Sequence, residues 1–123
     1  MNVKKVIVVD DDAAILDSLE IMLDFEGFQV SAYERGSEII KLVEKQKDAL
    51  PDVILLDMWL SDEDGREICK QLKSMEVTKD IPVIIMSASR GLKNTAISSG
   101  ANAFISKPFD VDDVVKTLHQ FTA

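Results

Sequence analysis

The sequence predicts an α/β domain, with a doubly wound sheet of five parallel strands and helices on both of its faces. Short apolar runs alternate along the chain with longer stretches in which apolar residues recur at helical spacing. This alternation is typical of parallel strands joined by right-handed helical crossovers. Three of the five strand candidates are unbroken apolar runs, which indicates strands covered on both faces. The length of 123 residues and the hydrophobic content of 46% suit one compact domain over residues 1–123.

The strand candidates are short segments bounded by polar or turn-forming residues. They are Val6–Val9, Phe28–Ala32, Val53–Leu56, Val83–Met86 and Ala103–Ile105. The first, third and fourth of them are unbroken apolar runs of four residues, so these three are expected to be buried on both sides.

The first two helices are predicted from apolar spacing and from residues that suit helix ends. The first helix is expected to bury Ile15, Leu16, Leu19, Met22 and Leu23. Asp12 should cap its amino end, and Gly27 should end it in a left-handed conformation. Ser37 is predicted to cap the second helix, which should bury Ile39, Ile40 and Val43.

The other three helices are predicted with different strength. The third should start near Gly65 or Arg66 and carry Ile68 and Leu72 inward. The fourth, within residues 89–100, should be short and loosely held, because this stretch is rich in Gly, Ser and Asn. Its apolar anchors are expected to be Leu92, Ala96 and Ile97. The last should begin at Asp110, with Asp113 in a capping arrangement, and bury Val111, Val114, Val115, Leu118 and Phe121.

Charge and composition exclude several classes of function. The formal net charge of −8 repels nucleic acid and anionic membranes, so neither is an expected partner. Apolar runs are far shorter than the ~18 residues needed to span a bilayer, and a cytoplasmic protein is expected. The single cysteine, Cys69, has no disulfide partner in the sequence and is predicted to be a partly buried structural thiol.

Polar residues collect where the predicted strands end. Asp10, Asp11 and Asp12 follow the first strand, Asp57 the third, Ser87 the fourth, and Ser106 with Lys107 the fifth. The carboxyl ends of parallel strands meet at one edge of a sheet, where ligands gather. Clustered carboxylates repel one another unless they are neutralised, and a hard dication such as Mg²⁺ is the usual remedy. The edge therefore suits phosphoryl transfer. A single strand-end carboxylate such as Asp10 or Asp12 can equally be a turn former or a helix cap, and Asp12 is expected to be the cap.

Several segments, taken in order, resemble the receiver domains of bacterial response regulators. They are Val8 to Asp12, Leu55 to Met58, Asp64 with Gly65, Met86 to Ala88, Gly100 with Ala101, and Phe104 to Phe109. Each segment is a weak signal by itself, but together they span essentially the whole chain. The resemblance implies a flavodoxin-like fold with strand order 2-1-3-4-5, and a phosphoacceptor domain of a two-component system.

The resemblance also implies a role for each matching residue. Asp57 is implied to be the phosphoacceptor, Asp11 a direct metal ligand, and Asp10 a further acidic ligand acting partly through water. The backbone carbonyl of Trp59 is implied to complete the Mg²⁺ site. Lys107 should pair with Asp57 and then with the phosphoryl group, and Lys107-Pro108 should be a cis peptide bond.

Two residues match the positions that transmit phosphorylation in this family. The Ser87 hydroxyl is implied to bond a phosphoryl oxygen, and Phe104 matches the aromatic switch position. A phenylalanine has no hydroxyl, so packing alone would drive its rotation. We expect the signal on the face formed by the fourth helix, fifth strand and fifth helix. Two residues depart from the usual pattern: Ser61 replaces a proline, and the bulky Trp59 flanks the acceptor.

Other interpretations compete with this one. In a phosphatase of the haloacid dehalogenase type, Asp10 would be the nucleophile of an Asp-x-Asp motif with Asp12, but a cap and an acidic motif after Lys107 are missing. A receiver-like domain without chemistry would not need Asp11, Asp57, Ser87 and Lys107. His119, far in sequence from the carboxylates, is expected to be an ordinary surface histidine and not a carrier of the phosphoryl group. Asp62 to Gly65 lacks the spaced ligands of a calcium loop.

The expected partners follow from the receiver resemblance. A sensor histidine kinase or a histidine phosphotransfer protein should donate the phosphoryl group, and an unknown downstream protein should receive the signal. The Met1 start suggests a stand-alone regulator. The domain is expected to catalyse only its own phosphorylation and dephosphorylation, so it is not an enzyme in the usual sense.

Overall fold

The computed structural model describes residues 3–45, 50–60, 62–88 and 92–122. Strands and helices alternate throughout. In chain order they are β1 (Lys5–Val9), α1 (Ala13–Phe25), β2 (Gln29–Tyr33), α2 (Gly36–Lys45), β3 (Val53–Asp57), α3 (Gly65–Ser74), β4 (Val83–Ser87), α4 (Lys93–Ser98), β5 (Ala103–Ser106) and α5 (Val111–Thr122). Each predicted strand is confirmed, and its ends lie within about a residue of the prediction.

The five strands form one parallel sheet in the order β2-β1-β3-β4-β5. The strands predicted from unbroken apolar runs are the three in the middle, where β3 and β4 are buried at every residue. The outer strands β2 and β5 are partly exposed. The predicted doubly wound fold and strand order are therefore confirmed.

Alternate strand residues build a separate core on each face of the sheet. Ile7, Val9, Ile54 and Leu56 pack with the buried residues of α2 and α3. Val6, Val8, Val53 and Leu55 pack with those of α1 and α5 on the opposite face. This alternation follows from the period of two in a β-strand.

The predicted residues at both ends of α1 are confirmed, whereas the predicted cap of α2 is wrong. Asp12 caps α1, since its side chain accepts hydrogen bonds from the backbone N–H groups of Ala14 (3.0 Å) and Ile15 (3.4 Å). Gly27, with φ of 96°, follows the end of α1. The prediction that Ser37 caps α2 is wrong, because the helix already begins at Gly36.

A few burial predictions are also wrong. Met22 and Ile97 are each 42% exposed, because helical spacing alone does not show which side of a helix faces the core. Four other predicted core residues are only half-buried, namely Ile15, Val111, Val115 and Phe121. Cys69 is fully buried instead of partly buried. The prediction of a short fourth helix is confirmed, since α4 has six residues.

Candidate functional site: an acidic cluster at the carboxyl edge of the sheet

The residues predicted to form the site come from separate strands and meet at one edge of the sheet. Asp57 ends β3, Asp10 follows the neighbouring strand β1, and Lys107 follows β5. The Lys107 ammonium lies 2.8 Å from Asp10 Oδ2 and 3.0 Å from Asp57 Oδ1. The backbone N–H of Lys107 also donates to the Ser87 carbonyl at 2.9 Å, which holds this loop beside β4. The Lys107-Pro108 peptide bond is cis, as the resemblance implied.

Three carboxylates form a compact cluster. Asp10, Asp11 and Asp57 each offer an oxygen, and these oxygens lie within 4.8 Å of one another. Asp10 is fully buried, Asp57 is 6% exposed and Asp11 is exposed. The two oxygens of Asp10 are held in place, one by Lys107 and the other by the Asp12 backbone N–H at 2.9 Å. The cluster therefore opens to solvent on the side of Asp11.

The electrostatics of the cluster favour an added positive charge. Burial raises the pKa of Asp57 to about 6 from its ordinary value of 3.8, and repulsion by Asp10 adds to this, while Lys107 opposes it. Burial lowers the pKa of Lys107, but its hydrogen bonds to Asp10 and Asp57 outweigh burial, so the net shift is upward. One ammonium thus pairs with two of the three carboxylates, Asp10 and Asp57. This set of oxygen donors with excess negative charge fits a hard dication such as Mg²⁺.

The turn after Asp57 is closed by backbone contacts. The Gly65 backbone N–H donates to the Met58 carbonyl at 2.7 Å, and Trp59 pairs with Asp64 in an isolated antiparallel bridge. A Cβ on Gly65 would collide with the Asp57 carbonyl oxygen. Glycine is therefore needed here for close approach of two backbones, whereas the sequence suggested only a helix start.

Trp59 and Arg66 pack together at the outer side of this turn. Trp59 is 46% exposed, and the Arg66 guanidinium lies 4.7 Å from its ring centroid. Arg66 also makes a two-point contact with Asp64, at 3.0 and 2.7 Å. The role of Arg66 was not predicted from the sequence. The available signal was its position two residues after Asp64, the acidic residue that caps α3.

The two predicted switch residues lie on the same face of the sheet. Ser87, which is 1% exposed, ends β4 beside the strand that carries Asp57. Phe104 pairs in register with Ile85, two residues before Ser87. Side chains two residues apart on a strand share a face, and Phe104 packs against the cluster that contains Ala96 of α4.

The other candidates lie away from the acidic cluster or act as helix caps. The Asp12 side chain is used as a helix cap, which leaves the Asp-x-Asp motif without its second member. The His119 ring packs against Phe28, with centroids 5.2 Å apart, near the start of β2. Asp62 pairs with Arg35 and Asp64 with Arg66. Ser61 lies outside the described residues. Within the described ranges 3–45, 50–60, 62–88 and 92–122, no helix is long and apolar enough to cross a bilayer.

Solved structures of similar shape are receiver proteins. A CheY-like response regulator receiver domain protein from Methanospirillum hungatei superimposes with a TM-score of 0.85 at 26% identity, over 97% of this chain and 93% of that one. The chemotaxis protein CheY4 of Vibrio cholerae superimposes with a TM-score of 0.87 at 26% identity, over 98% and 99% of the two chains.

Relatives by sequence point the same way. Response regulator MprA of Mycolicibacterium vanbaalenii is 30% identical over 93% of this chain and 48% of its own length. The DNA-binding dual master transcriptional regulator RpaA of Synechocystis is 34% identical over 90% of this chain and 46% of its own. The chain thus spans about half the length of these curated relatives. The family model of the response regulator receiver domain matches residues 6–119, and the chain therefore belongs to the receiver domain family of two-component response regulators.

Proposed function

We propose that residues 1–123 form one receiver domain that accepts a phosphoryl group on the carboxylate of Asp57. The observation that carries this proposal is the buried contact between Asp57 and Lys107 at 3.0 Å, next to the carboxylates of Asp10 and Asp11. A nucleophilic carboxylate held beside an ammonium and two further acidic groups suits the transfer of a dianionic phosphoryl group.

The transfer from a phosphohistidine donor requires little covalent chemistry from the protein. An ionised oxygen of Asp57 forms a bond to phosphorus while the P–N bond of the donor breaks, and the bonding pair leaves with the imidazole. The carboxylates of Asp10, Asp11 and Asp57 and the backbone carbonyl of Trp59 would hold Mg²⁺, whose chemistry at this site is to neutralise charge on the phosphoryl oxygens. Lys107 neutralises further charge, and the Ser87 hydroxyl donates a hydrogen bond to a phosphoryl oxygen.

The signal is then read on the face of α4, β5 and α5. Two features support this: Ser87 and Phe104 share one face of the sheet, and α4 is six residues long with only Ala96 buried among them. A Ser87 side chain that turns toward the phosphoryl group leaves space that Phe104 can enter. Phosphorylation would shift a pre-existing equilibrium toward that state.

The proposed partners follow from family and charge. The donor is a sensor histidine kinase or a histidine phosphotransfer protein, and the recipient is a downstream protein in the cytoplasm. RpaA is described as DNA-binding, whereas the net charge of −8 on this chain disfavours direct contact between this domain and nucleic acid. The domain acts only on its own phosphorylation state.

Acetyl phosphate and Mg²⁺ provide the test of the acceptor. Intact-mass spectrometry should show one phosphoryl group on the wild-type protein and none on Asp57→Asn, because an amide cannot form the acyl phosphate. Asp62→Asn removes an equal charge at an exposed position and should be labelled normally. Labelling of Asp57→Asn would move the acceptor elsewhere. Multiple turnover of p-nitrophenyl phosphate would instead favour a phosphatase.

A further inference from the structure

The carboxylate of Glu63 joins the turn after Asp57 to the start of α2. Its Oε1 accepts a hydrogen bond from the Gly36 backbone N–H at 2.7 Å, and its Oε2 accepts one from Ser37 at 3.1 Å. Both donors belong to the first turn of a helix, where backbone N–H groups have no partner within the helix. A carboxylate is well suited to this position, because it accepts both bonds and carries the charge that the helix dipole favours.

Backbone hydrogen bonds within the turn after Asp57 also hold Glu63 in place. The backbone of Leu60 and that of Glu63 exchange hydrogen bonds of 3.1 and 3.4 Å. One step closer to the site, Trp59 bridges to Asp64 and the Gly65 N–H bonds to the Met58 carbonyl. These contacts form a short ladder between the backbone of residues 58–60 and that of residues 63–65. The position of Glu63 is therefore coupled to that of the Trp59 backbone.

The other side of the contact leads back to the acidic cluster. The Asp10 backbone N–H donates to the Tyr33 carbonyl at 3.1 Å, and Gly36 lies three residues after Tyr33. The start of α2 also packs closely on α3, since a Cβ on Gly36 would lie 2.6 Å from Cγ1 of Ile68. A continuous path of hydrogen bonds and short backbone segments thus runs from Asp10 through Tyr33, Gly36 and Glu63 to Trp59 and Asp57.

We propose that Glu63 is a positioning residue for the metal site, which it reaches through the backbone without contacting the ion. This inference rests on the proposed function, in which Asp10, Asp11, Asp57 and the Trp59 carbonyl hold Mg²⁺. The Glu63 contact closes the path between the two strand-end loops that supply these ligands. With the path closed, less chain has to be ordered when the ion binds, so binding is tighter.

Asp62 provides a matched control for charge. It lies next to Glu63 and pairs with Arg35 at 3.3 Å, but both side chains are well exposed, at 69% and 59%. Asp62→Asn and Glu63→Gln each remove one negative charge from adjacent positions, so their long-range effects on a cation are similar. Glu63→Gln weakens hydrogen bonds to two backbone N–H groups of α2, whereas Asp62→Asn weakens only an exposed ion pair with Arg35, which contributes little to stability.

Magnesium titration followed by the fluorescence of Trp59, the single tryptophan of the chain, tests the inference. Glu63→Gln should raise the Kd for Mg²⁺ about tenfold, as is common when a group that orients metal ligands is changed, and Asp62→Asn should change it less than about twofold. Glu63→Asp, which is too short to keep both bonds, should fall between Glu63→Gln and the wild type. If Glu63→Gln proves too unstable to titrate, Glu63→Asp compared with Asp62→Asn carries the test alone.

Hydrogen exchange separates positioning from a structural role. In the metal-free protein, the amides of Gly36 and Ser37 should exchange faster in Glu63→Gln than in the wild type. Faster exchange with an unchanged Kd would show that Glu63 only stabilises α2 and would overturn the inference. Equal increases in Kd for Glu63→Gln and Asp62→Asn would also overturn it, because charge alone would explain both. A wild-type protein that does not bind Mg²⁺ would instead contradict the proposed function itself.

Discussion

Two helices that follow site-bearing strands differ greatly in how firmly they are held. α1 comes after Asp10 and Asp11, has 13 residues, is capped by Asp12 and buries Leu16, Leu19 and Leu23. α4 comes after Ser87, has six residues and buries only Ala96, and its N-cap residue Leu92 has no side-chain oxygen to accept a bond. We infer a division of labour, in which α1 helps to hold the carboxylates in place and α4 moves when Asp57 is phosphorylated, as proposed above.

The largest expected difference between the two helices is in the free energy of unfolding that is lost when a side chain is truncated. Leu19→Ala in α1 should destabilise the fold by about 2–5 kcal/mol, because Leu19 is 1% exposed and its loss leaves a cavity. Ile97→Ala in α4, at 42% exposure, should cost less than about 1 kcal/mol. Urea denaturation measures both values. Similar losses at the two positions would contradict the idea that α4 is the weakly held helix.

The buried carboxylate of Asp57 should also make the free energy of unfolding depend on pH. The pKa of Asp57 is about 6 in the folded protein and 3.8 ordinarily, so the folded state keeps a proton that the unfolded state releases in this window. The resulting stability is fully present below pH 3.8 and is lost as the pH rises through 6. Two pKa units correspond to about 3 kcal/mol.

Comparison with Asp57→Asn isolates this effect, since the amide does not titrate. In EDTA, the stability of the variant relative to the wild type should increase by about 2 kcal/mol between pH 4 and pH 7. Chemical denaturation at intervals of pH provides the measurement. Parallel pH profiles for the two proteins would show that the Asp57 carboxylate is not destabilised by its surroundings.

Asp11→Asn tests the same repulsion among the carboxylates and should have a smaller effect on stability. Asp11 is exposed, and its oxygen lies within 4.8 Å of those of Asp10 and Asp57, so removing its charge should stabilise the metal-free protein by about 1 kcal/mol. The wild type should melt at a higher temperature in millimolar Mg²⁺, and Asp11→Asn should lose most of that increase. A wild-type melt indifferent to Mg²⁺, with Asp11→Asn destabilising, would count heavily against a metal site.

The parts of the molecule that the sequence predicted well are those determined locally. Strand ends were clear because apolar runs stop at charged residues, as at Asp10 and Asp57, and parallel strands bring such ends together. The contact of Glu63 with Gly36 joins residues 27 positions apart. It depends on how α2 approaches the turn, which no local pattern encodes.

Burial on the helices was predicted less well for a related reason. Met22 and Ile97 continue the helical spacing of their neighbours, yet each is 42% exposed. The side that faces the core depends on how the helix lies against the sheet. Arg66 was missed because its ring contact with Trp59 at 4.7 Å is made across a turn whose shape is set by Gly65.

The smallest expected effect concerns the movement of α4 itself. Beryllofluoride, a mimic of the phosphoryl group, should bind with Mg²⁺ at Asp57 and draw the Ser87 hydroxyl toward it. Phe104 shares a face of the sheet with Ser87 and packs against the cluster containing Ala96, so its shift should reach α4. Amide exchange should change about threefold within residues 92–99 and around Phe104, a local free-energy change of less than about 1 kcal/mol. The amides of α1 should change much less, because Leu16, Leu19 and Leu23 hold that helix to the sheet.

Asp57→Asn provides the control and should show neither change. Equal changes in α1 and α4 would remove the proposed division of labour, and changes confined to the turn after Asp57 would mean that partners read the phosphorylated edge directly.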